Sequence, residues 1–172
     1  MSWETILFDL DGTLTDPAEG ITKAVEAALN HYGITVENRS TLNKFIGPPL
    51  DESFPEFYGF NDEQVREATR VFREYFGRQG WAENIPYPGI DKLLGDLKAA
   101  GKKLIIATSK PEEFAVRIMN HFGLAQYMDV IAGASTDNQE GAKKAYVIRK
   151  ALQRAGVEDL STTVMVGDRR HD

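Results

Sequence analysis

The sequence predicts an α/β fold: a doubly wound parallel sheet with an α-helical cap inserted after its first strand. Three observations predict it. Four short runs, "TILFDL" (5–10), "KKLIIAT" (102–108), "MDVIAG" (128–133) and "TTVMVG" (162–167), are apolar on both faces, as in a buried parallel strand. Amphipathic helical patterns alternate with the last three runs. A helical block interrupted by prolines separates the first run from the others.

The elements follow in order. Strand 5–10 comes first. Asp16-Pro17 then opens a helix with Ile21, Ala24, Val25, Ala28 and Leu29 on one face, ending near Gly33. The stretch "TLNKFIGPPLDESFPEFYGF" reads as a link broken by Gly47, Pro48, Pro49 and Pro55. A second long helix, about 62 to 78, uses Val65, Ala68, Phe72 and Phe76. "NIPYPGI" (84–90) is the return linker. Ile90, Leu93, Leu94 and Leu97 form one stripe that stops at Gly101, before strand 102–108. Pro111 and two acids start the next helix, which carries Phe114, Ile118 and Phe122 to Gly123. After strand 128–133, Val147, Ile148, Ala151, Leu152 and Ala155 lead to Gly156 and the last strand. The expected division is a discontinuous core, 1–15 with 87–172, and a cap, 16–86.

Composition narrows the function. The chain has 172 residues, a net charge of −6 and no cysteine. Disulfides, thiolate zinc and a cysteine nucleophile are excluded, and the charge argues against a nucleic-acid or anionic membrane partner. No apolar run approaches the ~20 residues that span a bilayer, and "MSWETILFDLD" lacks a basic region before a signal-like stretch, so a cytoplasmic location is expected.

"FDLDGTLTD" (8–16) carries the chemistry. Along a strand, Asp9 and Asp11 point the same way, ~6.6 Å apart, toward the carboxyl edge where open parallel sheets bind ligands. Two carboxylates about 5 Å apart repel by ~3 kcal/mol at an effective dielectric of 20. A divalent cation removes that penalty, and oxygen ligands suit Mg²⁺. Gly12 permits a tight turn with amides facing an anion. Thr108 and Ser109 end strand 102–108, where hydroxyls and amides suit a phosphate. Lys144, or its neighbour Lys143, begins a helix against the helix dipole, a placement that an anion in front would explain. Asp168 follows the fourth strand as a third acid for the cation. Tamer readings exist: Thr108 as a helix cap, His31 and His121 as dipole partners in last helical turns, and Phe54, Phe57, Tyr58 and Phe60 as the core of the cap.

In this order, "DLDGT" (9–13), Thr108 after "LIIA", a helix lysine and "GDRRHD" (167–172) resemble the four motifs of the haloacid dehalogenase-like superfamily. "IGPPL" and "KKAYVIRKAL" are most similar to its phosphoglycolate-phosphatase-like group. The resemblance implies a Rossmann-like core and a Mg²⁺-dependent phosphatase acting on a small phosphomonoester. It implies Asp9 as nucleophile, Asp11 as acid and base, and Mg²⁺ held by Asp9, the Asp11 carbonyl and Asp168. Thr108, the amides near Ser109, and Lys144 hold the phosphoryl oxygens, with Lys144 favoured over Lys143. Asp172 supports the site without touching the metal, and Lys44 and Gly47 are candidate substrate contacts in the cap. The same resemblance leaves open a nucleoside 5′-monophosphatase, a sugar phosphomutase, or an inactive remnant that binds Mg²⁺ and phosphate. Relatives continue past the fourth motif, so the core reads as truncated, with strand 162–167 an uncovered edge. Monomer or weak homodimer is expected.

Overall fold

All four residues of β1 (Thr5–Phe8) are buried, as its unbroken apolar run requires. It lies inside a parallel sheet, in the computed structural model, which describes residues 3–135 and 143–169. The chain divides into two compact units, Met1–Asp16 with Ile85–Asp172, and Pro17–Asn84.

In the first unit, β1 runs into a turn and a two-residue strand, β2 (Thr15–Asp16). The second unit contributes α1 (Ala18–His31), a 3₁₀ segment (Arg39–Phe45), α2 (Leu50–Tyr58) and α3 (Asp62–Arg78). The chain then returns through β3 (Ile85–Pro86), α4 (Ile90–Ala99), β4 (Lys103–Pro111), α5 (Glu112–His121), β5 (Val130–Ala134), α6 (Lys144–Arg154) and β6 (Thr163–Val166). The main sheet has the order β5-β4-β1-β6, all parallel. Residues 5 to 8 pair with 103–106 on one side and 163–166 on the other. β6 occupies an edge, and Val166 is 40% exposed.

One face of this sheet is closed by α6. Val147 and Ala151 are buried against Leu7, Ile105, Ala107 and Ala132, with Ile148, Leu152 and Ala155 packed around them. These are the positions at which the helical period places apolar side chains. The Lys103 ammonium donates to the carbonyl of Ala155 at 2.8 Å, satisfying an orphan group at the helix's end.

Two features differ from the sequence reading. β2 and β3 form an antiparallel ribbon, with Thr15 opposite Pro86 and Asp16 opposite Ile85. Two residues are too few to show an alternation, so the pattern carried no signal. The supposed broken link contains a helix, α2, with Pro55 inside it. Pro55 removes one backbone bond, but packing compensates: Phe54 is buried, 5.1 Å from the Phe45 ring and stacked 5.5 Å from Phe60. Of the rings expected to form the cap's core, Phe54 and Phe60 are buried, and Phe57 and Tyr58 are half-buried against Phe45. α3 begins and ends where its pattern placed it, fixed by a capping box between Asn61 and Gln64.

Within the helical unit, α1 crosses the chain at Gly20 with no room for a side chain. A methyl group there would stand 2.0 Å from the carbonyl oxygen of Gly80. Gly20→Ala is expected to destabilise the protein by ~1–3 kcal/mol, the usual cost of overpacking, measured as a lower urea midpoint with an unchanged slope.

Candidate active site

β1 stops at Phe8, one residue short of the first acid. Asp9 extends the ladder by donating its N–H to Val166 at 3.0 Å, and then the backbone turns. The carbonyl of Leu10 accepts from Thr13, Leu14 and Thr15, and the Gly12 N–H donates to Thr15 at 2.8 Å. This knot needs Gly12 at φ +81°, a conformation other residues rarely adopt. The two acids are therefore placed by a turn, not by the strand period. Leu10 between them is fully buried.

Asp9 is only 7% exposed. Its Oδ1 accepts the Leu10 N–H at 2.7 Å, and its Oδ2 lies 2.8 Å from the Lys144 ammonium. Lys144 is the first residue of α6, while Lys143 precedes the helix. Of the two candidate lysines, Lys144 is the one brought to the acid. Its ammonium at the positive helix end is offset by a carboxylate in contact.

Asp11 carries a second ion pair, absent from the sequence reading. Its Oδ2 lies 2.6 Å from the ammonium of Lys110, whose side chain is 5% exposed. Regular β4–β5 pairing breaks between Ala107 and Pro111, and in that stretch Thr108 is buried, Ser109 exposed and Lys110 buried. The Thr108 hydroxyl accepts the Lys110 N–H at 3.2 Å, so it holds the strand end and does not cap α5. The missed signal was a two-residue alternation past the apolar run, which turns Lys110 to the side of Thr108.

Asp168, just beyond β6, arrives at the same turn. A side chain at Gly12 would stand 2.6 Å from Asp168 Oδ2, so only glycine admits this carboxylate. Tyr87 reports the gathering of acids. Its phenol is pushed up first by burial and then by the charges of Asp16, Asp168 and Asp11.

Lys44 and Gly47 belong to the helical unit. There the Lys44 ammonium lies 4.4 Å from the centre of the Phe57 ring and 5.3 Å from that of Tyr58, and Gly47 stands in an exposed turn. Asp172 falls outside the described residues.

Among the described residues, no three His, Cys, Asp or Glu side chains gather as a metal-binding group. The expected Mg²⁺ set needs only two carboxylates, Asp9 and Asp168, with a backbone carbonyl from Asp11. The cradle at Gly12 fits that set, and its oxygen-only chemistry suits a hard cation. Asp168 Oδ2 also lies 3.8 Å from the Arg169 guanidinium, so three carboxylates meet two ammoniums and one guanidinium at this edge.

A clamp behind the site fixes the start of α5. Glu112 accepts from the Gly133 N–H at 3.1 Å, from Lys150 at 2.7 Å and from Arg154 at 2.9 Å. Burial works to raise its pKa, but Lys150, the Gly133 amide and Arg154 prevail and hold it at about 2. Gly133 itself is pressed against this segment: a methyl group there would lie 2.5 Å from Glu112 Cα and 2.6 Å from the Lys110 carbonyl oxygen.

A family model described as haloacid dehalogenase-like hydrolase matches residues 6–172. The chain is 42% identical to the tyrosine-protein kinase PtkA of Mycobacterium tuberculosis over 98% of its own length, but spans only 57% of that protein. It is 41% identical to a 5′-nucleotidase of Pseudomonas aeruginosa, covering all of this chain and 77% of that one. A phosphoglycolate phosphatase of Aquifex aeolicus is 32% identical, over 95% and 75%. The crystal structure of a putative phosphatase from Clostridium difficile superposes with a TM-score of 0.93 at 44% identity, covering 100% of this chain and 79% of that one.

Two outcomes follow from the clamp. Gly133→Ala displaces the Lys110–Glu112 backbone and lowers stability by ~2 kcal/mol or more in urea unfolding. Glu112→Gln removes a carboxylate whose folded pKa lies below its unfolded value of 4.5, so its contribution is complete above pH 4.5 and is lost as pH falls through about 2. The gap between variant and parent is therefore expected to be on the order of 1–2 kcal/mol at pH 7, after allowance for partial exposure, and to close near pH 2. Urea titrations at the two pH values measure it.

Proposed function

The chain belongs to the haloacid dehalogenase-like hydrolases, and on that premise we propose that it is a Mg²⁺-dependent phosphatase of small phosphomonoesters, working through an aspartyl-phosphate on Asp9. The observation that carries this reading is the pairing of Asp9 with Lys144 and of Asp11 with Lys110 at one sheet edge, with Asp168 against Gly12. A merely structural turn has no need of that much buried charge.

Asp9 is held for attack. The Leu10 N–H on Oδ1 fixes the rotation of the carboxylate. An oxygen of Asp9 bonds to phosphorus while the bond from phosphorus to the alcohol oxygen breaks, and the electron pair leaves with that oxygen. Asp11 gives the leaving oxygen a proton. It then takes one from the water that hydrolyses the aspartyl-phosphate, as microscopic reversibility requires. Lys144 neutralises the phosphoryl oxygens and, with the Thr108 hydroxyl and the amides near Ser109, orients them, whereas the Gly12 N–H is already given to the Thr15 carbonyl. Asp9, Asp168 and the Asp11 carbonyl would hold Mg²⁺, which when bound offsets charge between nucleophile and phosphoryl group.

Lys44 and Gly47, both in the helical unit, are the proposed contacts for the alcohol portion of the substrate. The 41% identity to a 5′-nucleotidase supports a nucleoside 5′-monophosphate ahead of phosphoglycolate, whose named phosphatase stands at 32%.

Phosphate release from nucleoside monophosphates, phosphoglycolate and sugar phosphates tests this. Activity is expected to vanish in excess EDTA, to return with Mg²⁺, and to fall by ~10⁴-fold or more in Asp9→Asn, the usual scale for a lost nucleophile. Turnover without metal, or a fully active Asp9→Asn, overturns the reading.

A further inference from the structure

Lys110 has a defined contact and no part in the mechanism above. Its ammonium, almost wholly buried, sits 2.6 Å from Asp11 Oδ2. The other oxygen, Oδ1, is buried and has no hydrogen-bond partner among the described residues. The two oxygens of this carboxyl group are thus made unequal by one neighbour. We propose that Lys110 is a positioning residue that directs proton transfer through Asp11 Oδ1. This rests on the phosphatase reading and deepens it.

The reason is the donor inventory of an ammonium group. It has N–H donors and no acceptor. A protonated Asp11 has one hydroxyl oxygen and one carbonyl oxygen. If the hydroxyl were Oδ2, its proton would face the N–H groups of Lys110. The proton therefore resides on Oδ1, while Oδ2 accepts from the ammonium. In the first step the bond from Oδ1 to hydrogen breaks and the hydrogen joins the departing alcohol oxygen, leaving a carboxylate beside Lys110. In the second step Oδ1 takes a proton from the attacking water, the water oxygen bonds to phosphorus, and the bond from phosphorus to the Asp9 oxygen breaks with its electron pair returning to the Asp9 carboxylate.

Lys110 is itself held rigidly enough to act this way. The Thr108 hydroxyl accepts its N–H, and its carbonyl oxygen packs against Gly133, where a methyl group would be 2.6 Å away. Two residues on, Glu112 is tied to Gly133, Lys150 and Arg154. The ammonium reaches Asp11 from a backbone pinned on both sides.

Leaving groups of different basicity separate this role from a structural one. An alkyl phosphate such as AMP needs a proton on its departing oxygen, whereas 4-nitrophenyl phosphate does not. kcat/KM reports only the steps through departure of the alcohol, so a slow later hydrolysis does not mask the difference. In the presence of Mg²⁺, Lys110→Met is expected to lose about a hundredfold in kcat/KM on AMP but less than about tenfold on the nitrophenyl ester, general acid catalysis being worth 10²–10⁴. Lys110→Arg, which restores a cationic donor, recovers a substantial part of the loss on AMP. Urea unfolding checks that each variant folds, and Lys110→Gln is read in place of the methionine variant if that one does not. Equal losses on both esters, or none on either, overturn the role of Lys110 alone. No turnover of either ester by the unmodified chain overturns the phosphatase reading and this one with it.

Discussion

Carboxylates of like charge meet at one end of a parallel sheet, and the surrounding structure makes that placement tolerable. A buried carboxylate without a partner loses hydration worth several kcal/mol. Asp9 and Asp11 avoid this through separate lysines, Lys144 from the first residue of α6 and Lys110 from the end of β4. Neither lysine is near its partner acid in sequence. Both ion pairs exist only because the sheet places β4 beside β1 and lays α6 across β4 and β5.

Strand order accordingly decides the chemistry. β1 is central, with β4 on one side carrying Thr108 and Lys110, and β6 on the other delivering Asp168 to Gly12. Parallel strands end at the same edge, so Asp9, Asp11, Thr108, Lys110 and Asp168 all stand there. The clamp at Glu112 extends the same logic. It joins the start of α5 to the far end of α6, whose near end holds Asp9, so the helix is fixed at both ends relative to the acids.

Resemblance to haloacid dehalogenase-like hydrolases rests on motifs that each have a physical task here. Gly12 leaves space for Asp168, Thr108 stabilises an irregular strand end, and Lys144 neutralises Asp9. Lys110 and Glu112 do comparable work and belong to none of the four motifs. A motif records which residues recur, whereas a contact records which ones bear on the acid, and the two lists differ.

Sequence alone determined the alternation of strands and helices, the site of the helical insertion, the ends of α3, and the convergence of Asp9, Asp11, Thr108 and Asp168 on one sheet edge. Those features depend on local periodicity and on a handedness shared by all parallel sheets. It also preferred Lys144 over Lys143, though only by likeness to a pattern. The tertiary structure alone decided the pairing of Asp11 with Lys110, the helix around Pro55, the ribbon of β2 with β3, and the turn that places both acids beyond β1. Each of these depends on contacts between residues far apart in the chain, or on aromatic packing strong enough to override a local propensity. Neither kind of energy is written in the order of neighbouring residues.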